Sequence, residues 1–201
     1  MKIKYILLFI LSILNIKVLY SQIVIDNFSG PLTNWTNTFS SGTLTNSGAE
    51  LNVNMTTVDG GSFQEMTLTF PTPQDFSSTP VICFDLKVPL AAPANAFNRL
   101  DIRLVDNLGV QTNNATSLWV LNPPTRNGSY VTYCMDYTGK FKNSSNTPVN
   151  STQIKKIIFY VNGGSNWVVG DLFYMDNLTR KPSPTLLIKA GGLGFLVRLS
   201  M

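Results

Sequence analysis

The chain contains no histidine. That one absence excludes His-ligated zinc, a Ser-His-Asp triad and a histidine general base. The GxSxG elbow, the Walker loop and the GxGxxG fingerprint are also missing, and with them the marks of α/β-hydrolases and of the common nucleotide-binding folds. Charge is scarce: Asp, Glu, Lys and Arg make up 13% of the 201 residues. The net charge of +4 comes largely from the two ends, through Lys2, Lys4 and Lys17 and through Arg180, Lys181, Lys189 and Arg198. The middle is nearly neutral, so nucleic acid is not an expected partner. Helical periodicity is absent too, since no segment spaces apolar residues at helical intervals over three turns.

One long apolar run exists, and it is the beginning. MKIKYILLFILSILNIKVLYS opens with Lys2 and Lys4, runs apolar from Tyr5 to Leu14 and ends at small Ser21. A membrane anchor needs about 20 uninterrupted apolar residues, and Asn15 and Lys17 break this run. Residues 1–21 therefore read as a secretory signal peptide, which implies an extracellular protein. The two cysteines, Cys83 and Cys134, fit that compartment as a candidate pair.

What remains is rich in short alternating runs: 23–27, 49–55, 64–70, 81–88, 99–106, 116–121, 129–137, 154–161 and 171–179. Bounded by Gly, Pro and Asn, they predict an all-β, two-sheet antiparallel β-sandwich over residues 22–180. If the strands from 49 onward follow jelly-roll order, 81–88 lies beside 129–137, 64–70 beside 154–161, 99–106 beside 116–121, and 49–55 beside 171–179. Strand parity then turns Ile82, Phe84, Leu86 and Val88 inward and Cys83, Asp85 and Lys87 outward. Cys83 and Cys134 become feasible cross-strand partners; the alternative is two separate small residues in a sheet.

In the second sheet, the outward set collects Glu65, Arg99, Asp101, Arg103, Trp119, Lys156 and Tyr160. Aromatic rings offer flat apolar faces to the C–H faces of sugars, and flanking charged groups hydrogen-bond hydroxyls. An ordinary solvated sheet with cross-strand charge pairs has the same composition. Trp35 and Trp167 fall in loops, as stacking platforms or as caps on the core edge. In VVGDLFYMDNL, Asp171 and Asp176 are an odd number of residues apart, so they face opposite sides of a continuous strand and cannot act as a pair.

The ordered segments IVIDNFSG, GAELNVNM, DFSSTPVICFDLKV, RLDIRLVDNLG, SYVTYCMDYTGKF, IKKIIFYVNGGSNW and FYMDNL resemble galactose-binding-like β-sandwich domains of secreted bacterial proteins, especially carbohydrate-binding modules attached to glycoside hydrolases. The resemblance implies a jelly roll and a polysaccharide or oligosaccharide partner. It places the sugar site either on a concave sheet (Trp119, Tyr160, Arg103 and Asp101, with Arg99 and Glu65) or in end loops (Trp35, Trp167). It also implies a structural Ca2+ where the first and last strands meet, at Asp26 and Asp176 with Glu50; an Asx turn at each strand end is the alternative.

The expectation is a secreted, non-catalytic module that holds an attached or partner enzyme on a glycan. A structural or adhesive domain without sugar binding is the alternative, and a small hydrolase using Asp101 and Glu65 is a third. The last stretch, 181–201, reads as a KPSP linker and an unstructured or truncated tail, the intact gene product continuing into a catalytic domain.

Overall fold

The computed structural model describes residues 22–38, 43–55, 64–90, 99–113, 127–162, 171–183, 186–189 and 196–199. Its elements are β1 (Ile23–Asp26), β2 (Trp35–Asn37), β3 (Thr43–Ser47), β4 (Glu50–Met55), β5 (Gln64–Gln74), β6 (Val81–Lys87), β7 (Arg99–Asp106), β8 (Tyr130–Asp136), β9 (Ile154–Asn162), β10 (Asp171–Lys181), β11 (Leu186–Lys189) and β12 (Leu196–Leu199). Among the described residues there is no helix, and so none long and apolar enough to cross a membrane.

Two antiparallel sheets form the sandwich. The six-stranded sheet runs β3-β4-β10-β6-β8, with β1 also paired to β10; the four-stranded sheet runs β2-β5-β9-β7. Three of the expected jelly-roll neighbours are present as β6 with β8, β5 with β9, and β4 with β10. The fourth involves 116–121, outside the described residues. Two short strands are additions to the sequence reading. β2 sits at a sheet edge, and β3 joins β4 through Gly48 (φ 63°) and Ala49 (φ 64°). Two consecutive positive φ values are what a type I′ hairpin demands, and neither residue had stood out as a turn. The stretch read as an unstructured tail also contains strands, β11 and β12, which pair with each other as a separate antiparallel sheet.

The inward parity holds in the described strands; Leu118 and Val120, also expected inward, lie outside the described residues. Ile82, Phe84, Leu86, Phe173 and Met175 of one sheet are buried against Met66, Leu68, Ile102, Ile157 and Phe159 of the other. Phe84 meets Phe159 edge-on at 5.9 Å, the favoured geometry for two rings carrying quadrupoles. Tyr137, wholly buried just past β8, donates its hydroxyl to the Ile102 carbonyl at 2.8 Å and so joins the sheets with a hydrogen bond. Cys83 and Cys134 are direct register partners, 4.1 Å apart at Cα, and are joined by a disulfide. Directly opposed residues in a narrow antiparallel pair come this close.

Of its two expected roles, Trp35 takes that of a cap on the core. It is neither in a loop nor a stacking platform: it opens β2 opposite Leu68, is 7% exposed, and packs between Phe28 (5.6 Å) and Phe159 (5.8 Å). Its Nε1 donates to Asp26 Oδ2 at 2.8 Å, and Asp26 Oδ1 accepts from the Phe28 backbone N–H at 2.7 Å. The second bond is the Asx turn that the sequence offers for Asp26; the first ties β1 to the core. Trp35→Phe keeps a ring in place but removes the donor to Oδ2 of a half-buried carboxylate. It should cost about 2 kcal/mol in urea unfolding, the scale of a hydrogen bond to a charged group, and an unchanged midpoint would refute the tie.

Candidate functional site

The outer side of the four-stranded sheet brings some of the expected residues together. Glu65, Tyr160 and Asp101 form one cross-strand row, and the Arg103 guanidinium lies 4.1 Å from the Tyr160 ring centroid. Burial raises the Tyr160 pKa; Arg103's charge opposes that rise and Glu65's charge adds to it. But part of this side is covered. Asp101 is 0% exposed, and its outward neighbours Val105 and Ile158 are also buried. Asp101 therefore cannot contact a sugar on an open face, nor can it serve with Glu65 as a hydrolytic pair, which needs both carboxyls at the substrate. Arg99 lies at the start of β7 opposite Asn162. Trp119 and Trp167 lie outside the described residues.

The open polar face is on the other sheet. Register places Thr45, Asn52, Tyr174, Lys87 and Tyr130 side by side across five strands. A second row carries Asp176, Asp85 and Thr132. Strands sit about 4.8 Å apart, so a five-strand row spans about 19 Å, enough to underlie several sugar rings. Lys87 organises this face. Its Nζ lies 4.1 Å from the Tyr174 ring centroid and 4.7 Å from that of Tyr130, and it pairs with Glu50 Oε2 at 2.9 Å. The Tyr130 hydroxyl donates to the same Glu50 oxygen. Tyr130 is 39% exposed.

Asp85 and Asp176 stand directly opposite each other, an arrangement that costs energy in a bare sheet. It is offset by donors: Asp85 accepts from Thr132 Oγ1 at 2.5 Å and from Asn177 Nδ2 at 2.8 Å, while Asp176 Oδ1 accepts the Asn177 N–H at 2.6 Å. Asn177 reaches this position because it adopts φ 49° at a register shift in β10. Parity alone puts Asp85, Lys87, Tyr130 and Thr132 outward; what it cannot supply is the neighbour on each side. Tyr174 and Glu50 become partners of Lys87 once β10 is known to lie between β4 and β6.

Burial pushes the Glu50 carboxyl up, but hydrogen bonds from Lys87 and Tyr130 and the Lys87 charge outweigh it and hold the group below its ordinary 4.5. For Tyr130, burial and then the Glu50 hydrogen bond and charge raise the phenol far above its usual range. A depressed carboxyl pKa contributes stability above its unfolded value and loses it as pH falls through the folded one. Acidification below 4.5 should therefore remove the Glu50 contribution, on the order of 1 kcal/mol or less for so accessible a pair. A Glu50→Gln variant should show a shallower fall in melting temperature over that window; parallel curves for the two proteins would contradict the coupling.

The carboxylates expected to bind calcium do not converge. Asp26 turns in to Trp35 and the Phe28 N–H, Glu50 is held by Lys87 and Tyr130, and Asp176 stands on the outer face opposite Asp85. Among the described residues no three acidic or cysteine groups come together around a possible cation. Calcium prefers six to eight oxygens, and this divided set does not fit it.

No protein-family model matches the chain, and no curated protein matches it. Solved structures do. The family 11 carbohydrate-binding module of a cellulosomal cellulase from Clostridium thermocellum superposes with a TM-score of 0.53 at 18% identity, over 81% of this chain and 95% of that one. A family 11 module from the same organism in complex with a β-1,3-1,4-mixed-linked tetrasaccharide gives 0.51 at 20% identity, over 79% and 94%. An agarase gives 0.55 at 12% identity, with 81% of this chain covering 26% of that much longer one. At these identities the likeness is one of fold: the chain has the β-sandwich architecture of carbohydrate-binding modules.

Proposed function

We propose that this protein is an exported, non-catalytic domain that binds a glycan across the outer face of its six-stranded sheet. The observation that carries the reading is the unbroken row from Thr45 through Asn52, Tyr174 and Lys87 to exposed Tyr130. Tyr130 offers a ring to a sugar face, while Lys87, Glu50, Asp85 and Thr132 offer donors and acceptors already fixed by one another. Groups held in place before binding lose little freedom on binding, which favours affinity from a small contact area. The fold shared with a family 11 module in complex with a β-1,3-1,4-mixed-linked tetrasaccharide supports the reading. The disulfide supports export, since such bonds persist in oxidising compartments.

A domain of this kind aids catalysis performed elsewhere, by raising the effective concentration of an attached or partner enzyme at its polymer. The first probe is the mixed-linked tetrasaccharide named for the family 11 module, followed by an array of plant and algal glycans. Saturable backbone-amide shifts are expected on β4, β6, β8 and β10. An array without binding at millimolar ligand, or shifts confined to other strands, would overturn the assignment.

A further inference from the structure

The end of β7, the edge strand of the four-stranded sheet among the described residues, forms one side of a groove of about 570 Å³. One wall is the returning segment 107–113, which Asp106 builds. The buried Asp106 carboxylate accepts the N–H groups of Leu108 (3.0 Å) and Val110 (2.9 Å) through Oδ1 and that of Asn150 (3.0 Å) through Oδ2. Gly109 takes φ 84°, where a side chain would be strained. The chain then pairs back on β7: Gln111 bridges Val105, the Thr112 N–H donates to the Leu104 carbonyl at 2.9 Å, and the Leu104 N–H donates to Thr112 Oγ1 at 3.1 Å. The facing wall, 143–147, is closed by Asn143 Oδ1, which accepts the N–H groups of Ser145 (2.9 Å) and Thr147 (2.8 Å). The Asn113 N–H, donating to the Lys142 carbonyl at 2.8 Å, ties the walls together. Both walls are thus set by local hydrogen bonds, independently of any ligand.

Among the described residues Arg103 is the one charged side chain lining this groove; the others are amides, hydroxyls, a glycine and Val110. Its guanidinium packs over the Tyr160 ring, which fixes the plane of the fork. A fixed planar fork recognises an oxyanion through paired hydrogen bonds, and amides and hydroxyls around it match a ring of hydroxyl groups. We propose that the groove is a second binding site, on the sheet opposite the glycan face, for a sugar unit bearing an anion: a uronate or a sulfate ester. Arg103 takes the anion, and the amides of Gln111, Asn113 and Asn143 take the hydroxyls. The two sites lie on opposite sides of the sandwich, so one domain could hold two chains.

The test is an amide-shift titration with four probes: sodium glucuronate, glucose 6-sulfate, glucose and inorganic sulfate. Glucuronate, glucose 6-sulfate or both should shift residues 109–113 and 143–147 saturably at millimolar concentration, about tenfold more tightly than glucose. Whichever probe binds identifies the anion. Arg103→Gln should abolish the shifts, and so should Gln111→Glu, which sets a carboxylate against the ligand at a half-buried position and serves if the first variant folds poorly. Equal binding of glucose, equal binding of bare sulfate, binding that survives both variants, or no saturation with either charged sugar would each overturn the site. The probes for the six-stranded face are neutral and report on other strands, so failure of one site is distinguishable from failure of the other.

Discussion

Replacing Cys83 and Cys134 together by serine should lower the melting temperature by about 10 °C, and reductant should bring the native protein to the same value while leaving the variant unchanged. The magnitude follows from chain entropy. The cysteines are 51 residues apart in sequence. Closing a loop of about 50 residues in the unfolded chain is worth about 4 kcal/mol in that treatment. For a domain of this size, each kcal/mol moves the melting temperature by about 2 to 4 °C. The bond also lies where a local effect should appear. Among the described residues β8 is an edge strand, held on one side by β6, and it carries Tyr130 and Thr132. Reduction should therefore loosen glycan binding as well as global stability, measurable by titration below the melting transition. A melting temperature indifferent to reductant would show that the unfolded chain gains nothing when the bridge opens.

Tyr130→Ala should weaken binding to the best glycan about tenfold, the effect of truncating one aromatic anchor worth about 1.4 kcal/mol. Tyr130→Phe separates two contributions of the same residue. It keeps the ring over Lys87 and removes the hydroxyl donated to Glu50. If stacking dominates, the Phe variant should stay within about threefold of the native protein, since a single hydrogen bond at an accessible site contributes modestly. A Phe variant as weak as the Ala variant would shift the explanation from the ring to the Glu50–Tyr130 hydrogen bond. An Ala variant of unchanged affinity would remove Tyr130 from the site.

The sandwich was legible in the sequence because each sheet has one buried side, and alternation along VICFDLK or KIIFYV reports that side directly. Pairing order followed from topology, and the cysteine register came with it. The site was less legible. Parity separated inside from outside, yet it could not say which outside was open: Asp101 has the alternation of a surface residue and is 0% exposed. Lys87 was visible as an outward lysine, but its meaning depends on Tyr174 and Glu50, brought beside it by strands distant in sequence. Asp26 shows the same limit. The family resemblance implied a cation there, whereas its partner is an indole N–H that a strand too short to read had buried.

The pairing of β1 with β10 has a mechanical consequence. Ile23 lies opposite Arg180 and Asp26 opposite Leu178 in antiparallel register, so the chain enters β1 and leaves β10 at the same end of the sheet. Tension between those two points loads the β1–β10 hydrogen bonds in sequence, as a zipper opens, instead of all at once in shear. β1 is therefore the first element to yield under a pull, while β6 and β8, cross-linked beyond it, keep their alignment. A domain tethered this way hangs to the side of the line of force and can give at its first strand while the face carrying Tyr130 stays intact.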